Sequence, residues 1–211
     1  MSNDQPESQD LPELEFNLGE AFLRMDEAVA QTIEGLPDFP GFQKRTTLAL
    51  DCPEEGRESY EIKYTFPENT ISSDLTTKEY FAVLKEHWPS IGWEVHGELD
   101  DSDGNISDLQ AIRPDGVNIW YQNLLGQAVI HAQVACVRSE GDPVCGPPLG
   151  GVTPENDNTK YCTLIEPEES ESASTDAVAP FEGTQAAMIP WRTDGARRES
   201  FDPLGSGEEQ G

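Results

Sequence analysis

In QAVIHAQVACV (127–137), Ala128, Ile130, Ala132, Val134 and Cys136 occupy every second position without a polar interruption. A period of two puts all five on one side of an extended chain, so the segment reads as a strand with one face against a core. Other segments repeat the pattern. Thr46, Leu48 and Leu50 alternate in RTTLALD (45–51). In 59–66, Tyr60, Ile62, Tyr64 and Phe66 face one way and Glu61, Lys63 and Thr65 the other. The short polar EEG between these two runs makes them a hairpin. WEVHGEL (93–99) directs Trp93, Val95 and Leu99 inward. SDLQAIR then leads into R-P-D-G at 113–116, with Pro, Asp and Gly where a type I turn wants them, and VNIWYQN follows.

Two stretches change period. Leu18, Phe22, Met25, Val29 and Ile33 lie three or four apart and trace one helical face, which Gly35 and Pro37 end. A second helix is expected from Thr76, where T-T-K-E has the form of a capping box with Glu79. Phe81, Leu84, Trp88 and Ile91 supply its stripe, and Gly92 suits its left-handed end. The order α-β-β-α-β-β-β-β predicts an α+β fold in two layers, an antiparallel sheet with two helices on one face.

This pattern occupies residues 15–137. Residues 1–14 read as a polar, acidic, disordered linker. Residues 138–165 form a Pro/Gly-rich extension with two cysteines, and 166–211 a disordered acidic tail. On this reading everything after Arg138 is dispensable for folding. The net charge is −28, and both the domain and the remainder are acidic. Such a surface repels phosphate backbones and anionic lipid, so it disfavours nucleic acid and membrane surfaces as partners and leaves cationic partners, a basic protein among them, divalent ions or a salty medium open. No apolar run is long enough to span a membrane.

Cys52 continues the series Leu48, Leu50, and Cys136 ends the series of the last strand, so the two would meet if their strands are neighbours. That bridge closes a loop of about 85 residues, worth about 4–5 kcal/mol on the chain-entropy account. Cys145 and Cys162 flank a segment too poor in apolar residues to order itself, and a bridge would do so. The alternative is four unpaired buried thiols. Paired cysteines imply an oxidising compartment, whereas MSNDQPESQD lacks the basic and apolar regions of an export signal.

No catalytic residue, cofactor or metal site is expected. His87, His96 and His131 fall on separate elements. DDSDGNISD (100–108) lacks acids at the first and last positions of a calcium loop, and no G-x-S-x-G, Walker or dinucleotide fingerprint occurs. Candidate partner contacts are Trp120 and Tyr121, adjacent on one strand so that one points away from the helices. An aromatic patch would result if Tyr60, Tyr64 or Trp93 shared that face. Trp191, beside Arg192, Arg197 and Arg198, is the third candidate.

A Cys-containing strand, a YEIKY strand, a helix ending HWPSIGWEV, then AIRPDGVNIWYQ and a last strand ending VACV resemble a group of small actinobacterial secreted or lipid-anchored proteins of unknown function. The likeness covers about residues 15–137, through Trp88, Gly92, Trp93, Asp115, Gly116, Cys52 and Cys136. It implies that Cys136 pairs with Cys52 and that the protein is extracytoplasmic. It carries no catalytic residue. The chain departs from that group in lacking the signal peptide and lipobox, and in its acidic tail with a second cysteine pair. The expected function is a monomeric, non-catalytic extracytoplasmic binding or envelope-associated domain. The alternative is an acidic inhibitor or immunity-type protein that caps a basic partner.

Overall fold

The computed structural model describes residue 14 and residues 16–165. The linker, apart from Leu14, and the 166–211 tail, with Trp191, lie outside the described residues. Helix α1 (Leu18–Glu34) buries Leu18, Phe22, Met25 and Val29, and Asn17 caps it by accepting from the Gly19 amide at 3.0 Å. Strands β1 (Lys44–Leu50) and β2 (Arg57–Thr65) form the hairpin, and helix α2 (Tyr80–Ser90) follows. Strands β3 (Glu94–Asp100), β4 (Ile106–Ile112), β5 (Asn118–Leu124) and β6 (Gln127–Arg138) complete an α+β fold, with both helices on one side of a largely antiparallel sheet. Three two-residue strands are added by the extension: β7 (Val144–Cys145), β8 (Asp157–Asn158) and β9 (Thr163–Leu164). The main sheet runs β3-β4-β5-β6-β2-β1-β8, and β6 is its central strand, which is why its apolar face is unbroken.

Local sequence explains the joints. Gly116 takes φ +90° and donates to the Arg113 carbonyl at 2.8 Å, closing the R-P-D-G turn. Gly92, at φ +85°, ends α2, and the Trp93 amide reaches back to the Trp88 carbonyl at 2.9 Å. Trp93 then stacks on Trp88, centroids 6.2 Å apart, while Ile91 is left 40% exposed instead of extending the stripe. Trp88 donates from Nε1 to Thr32 Oγ1 at 3.1 Å, fastening α2 to α1. The expected capping box does not form. Residues Leu75–Glu79 make a single wide π-type turn, and the Thr76 hydroxyl donates to the Thr70 carbonyl at 3.1 Å, so α2 proper begins at Tyr80.

Three sequence phases change in the structure. In β1 the helix side is taken by Arg45 and Thr47, and Leu48 stands 50% exposed on the other side. In β3 the pairing slips between Val95 and Gly97, and the resulting bulge turns Leu99 out to 58% exposure. In β6 the register against β2 shifts opposite Ser59, so Val137, rather than Cys136, returns to the core. Cys52 and Cys136 are therefore both half-buried and outside the core. They are nonetheless bridged, with Cα atoms 5.8 Å apart. Their strands are not neighbours, because β2 lies between β1 and β6. Cys52 lies beyond the end of β1, and the β1–β2 connection carries it to β6. The second bridge joins Cys145 to Cys162, Cα atoms 5.6 Å apart.

The extension is not the detached loop its composition suggests. Cys145 is fully buried and Val152 is 7% exposed, both in the main core, and β8 adds a parallel edge to β1. Its main attachment is ionic. Arg45, fully buried, donates from Nε and Nη2 to the two Asp157 oxygens at 2.9 and 2.7 Å, and from Nη1 to Asp26 Oδ2 and the Gly146 carbonyl, both at 3.0 Å. Removing everything after Arg138 would strip that guanidinium of three of these four bonds, so the extension belongs to the folded unit.

Candidate binding face on the open side of the sheet

Pairing register determines which side chains share the face that the helices leave uncovered. Gln110, Trp120, His131 and Lys63 form one row across β4, β5, β6 and β2. Asp108, Gln122, Val129 and Thr65 form the row on one side, and Ile112, Asn118, Gln133 and Glu61 the row on the other. Trp120 lies at the centre, half-buried. Tyr121, its neighbour in sequence, points the opposite way: it is fully buried, packs edge-on to Phe81 at 5.0 Å, and donates its hydroxyl to the Thr76 carbonyl. Burial holds its phenol well above the usual range. Of the two adjacent candidates, only Trp120 lies on the face that the helices leave open. Tyr60, Tyr64 and Trp93 are all buried in the core cluster, so none of them extends Trp120 into an aromatic patch.

The surroundings of Trp120 are polar. His131 Nδ1 lies 2.9 Å from Glu61 Oε1. Gln122 Nε2 donates to Asp108 Oδ2. Gln110 lies against Gly97 on β3, where an added Cβ would come within 2.9 Å of its Oε1, so this glycine lets the amide lie flat toward the sheet edge. The face is closely tiled: Val129, which points to this side, is only 2% exposed. Two polar atoms within the tiling have no partner, Asp108 Oδ1 and His131 Nε2, and Asp108 is only 8% exposed. Buried polar atoms are nearly always paired, to protein or to ordered water, so these two atoms beside the same indole, without a partner among the described residues, mark where water or a ligand would be held. Beyond Lys63 the face opens into a cleft of ≈ 410 Å³ lined by Lys44, Thr46, Lys63, Thr65, Gln127 and others.

The remaining histidines are apart from this face. His87 Nε2 bonds the Gln31 carbonyl at 2.8 Å, and its ring covers Gly35 so closely that a Cβ there would meet its Cγ at 2.4 Å. His96 is exposed in the β3 bulge. Among the described residues no three His, Cys, Asp or Glu side chains are grouped so as to hold a metal ion, and no helix is long and apolar enough to cross a membrane. Trp120 was legible as a candidate. His131, Glu61, Asp108 and Gln122 were not, because what marks them is cross-strand pairing, which a single strand's pattern does not display. No protein-family model, no curated protein and no solved structure matches the chain.

Proposed function

We propose that this protein is a non-catalytic binding domain that works outside the cytoplasm, associated with the cell envelope, and that it binds through the open face of its sheet around Trp120. The observation that carries this reading is the indole at the centre of an uncovered polar face with two unpaired buried atoms beside it. The two disulfides support an oxidising location, as does the likeness to actinobacterial secreted proteins.

The test is sedimentation with isolated envelopes of the cells that make the protein. The oxidised wild type should be retained, and Trp120→Ala released. Equal retention of the two would refute the assignment of the face, and four reactive thiols in material from its native compartment would refute the location. A second reading, an acidic inhibitor or immunity-type protein capping a basic partner, is favoured by the charge of −28. It predicts a complex whose association rate falls steeply with added salt and is indifferent to Trp120→Ala.

A further inference from the structure

We infer that the ligand of this face is a neutral carbohydrate chain, with sugar rings stacked on Trp120 and hydroxyl groups donating to Asp108 and His131. The inference rests on the reading of the open face as the binding surface, and adds the chemistry of what it takes.

The argument starts from a tautomer. His131 Nδ1 is 2.9 Å from Glu61 Oε1, and an ionised carboxylate only accepts. Nδ1 therefore carries the hydrogen, and Nε2 is an acceptor whenever the ring is uncharged. Nε2 is buried without a partner, and so is Asp108 Oδ1. Both unmet atoms are acceptors. They lie on opposite flanks of Trp120, His131 beside it on β6 and Asp108 on β4. A ligand that completes the face must bring hydrogen-bond donors to both flanks and a flat, weakly polar surface to the indole between them.

Few chemistries do this. Phosphates and carboxylates bring acceptors and negative charge to a protein of −28, and are repelled. A purely apolar ligand leaves both acceptors unmet in a dry interface. An ammonium donates, but Lys63 stands next to His131 in the same row and opposes a cation there. A sugar ring offers C–H bonds to the face of the indole and hydroxyls around its rim, and each hydroxyl both donates and accepts. The amides of Gln110, Gln122 and Asn118 around Trp120 match that dual character. The two orphans are on strands two apart, about 10 Å in the hydrogen-bonding direction. That is wider than one ring, so an oligosaccharide, not a monosaccharide, spans them. Both atoms are covered in the free protein, so side chains of the tiling would turn aside for the ligand.

Calorimetric titration of the full, oxidised chain with neutral cello-, malto- and N-acetylated chito-oligosaccharides of increasing length tests the inference. At least one series should bind, and more tightly with length. Trp120→Ala should weaken binding by about tenfold or more, while Trp120→Phe, which keeps a platform, should retain most of it. Trp120 is outside the core, so the alanine variant should keep its thermal transition. If it does not, Gln122→Ala on the same face substitutes for it, with a smaller expected weakening. No binding from any series at millimolar concentration, or binding indifferent to these substitutions, overturns the inference. Envelope retention that depends on Trp120 but is not competed by any of the oligosaccharides would overturn the carbohydrate while leaving the face. Retention that does not depend on Trp120 would remove both.

Discussion

Asp157→Asn should lower stability throughout, and by more at pH 4.5 than at pH 7. Arg45 is a single buried cation facing two carboxylates. Asp157 holds it through two bonds and Asp26 through one, so Asp157 takes the charge. Burial works against the Asp157 anion, yet its bond from Arg45 keeps it below the usual carboxylate range. At Asp26 burial wins: it pushes the carboxyl from 3.8 to about 6, against the hydrogen bond from Tyr64 and the charge of Arg45, and the Asp157 charge adds to the rise. A carboxyl raised on folding contributes stability that is fully present below the unfolded pKa of 3.8 and is lost as pH rises through about 6. Between pH 7 and pH 4.5 the wild type should therefore gain about 2 kcal/mol from this group. The Asp157 contribution has the opposite sign, but it is lost as pH falls from 3.8 through its depressed pKa, below that window. Asp157→Asn removes the competing anion. Arg45 then pairs with Asp26 alone, whose carboxyl should stay raised by burial but less than in the wild type. At pH 7 the lost bidentate pair, about 3–5 kcal/mol, is offset only in part, by up to about 1 kcal/mol of relief at Asp26, leaving a net loss of about 2–4 kcal/mol. At pH 4.5 Asp26 is already protonated in the wild type and gains little from the removal, so the loss should grow by up to about 1 kcal/mol, to about 3–5 kcal/mol. Urea unfolding followed by circular dichroism at the two pH values reads both numbers. Other carboxylates titrate alike in the two proteins and cancel in the difference. A difference that stays constant between pH 7 and pH 4.5 would refute the shared-cation account.

Replacing Cys52 and Cys136 by serine should leave the sheet folded, since neither is in the core, but lower stability by up to about 4.5 kcal/mol for an 84-residue loop; urea midpoints measure it. Truncation after Arg138 should abolish the cooperative thermal transition or lower its midpoint by more than 10 °C for a loss of about 3 kcal/mol, because Arg45 is left buried with Asp26 alone. Leu125→Asn should stabilise by about 0.5–1 kcal/mol in the same assay. Leu125 sits fully exposed at φ +56° before Gly126 at φ +91°, a two-residue hairpin turn in which asparagine is the better first residue and no burial is lost.

The helix faces and the strands β2, β5 and β6 were legible because apolar residues repeat there at the period of the element and the repeat is long. What failed was phase, and each failure has a local cause. In β1 the buried face is Arg45 and Thr47, a polar pair that periodicity assigns to solvent; only the partners Asp26 and Asp157, distant in sequence, make Arg45 a core residue. In β3 and β6 a single extra residue reverses the side on which every later side chain falls. Cys52 and Cys136 were assigned inward phases that neither has, yet they pair, because the β1–β2 connection and the β6 bulge bring both out of the core at the same end of the sheet. The docking of the extension was not legible, since it depends on two acids, one glycine carbonyl and a few buried atoms scattered through a polar segment.

The same irregularities explain why the open face is available for binding. A sheet's two edges invite further strands unless they are blunted. At one edge β8, tied down by Arg45 and the 145–162 bridge, pairs with the start of β1. At the other, β3 carries Glu94, Glu98 and Asp100 and is broken by the bulge at His96, and charge and twist both discourage an added strand. With the helices on one side and both edges occupied or charged, the broad surface left is the tiled polar face. Within that face Asp108 and His131 are sunk into the tiling, each with an atom that has no partner among the described residues, on either side of Trp120. On the proposed reading a donor-bearing ligand lying across Trp120 would meet both atoms, and they, more than the indole alone, are what motivates that reading.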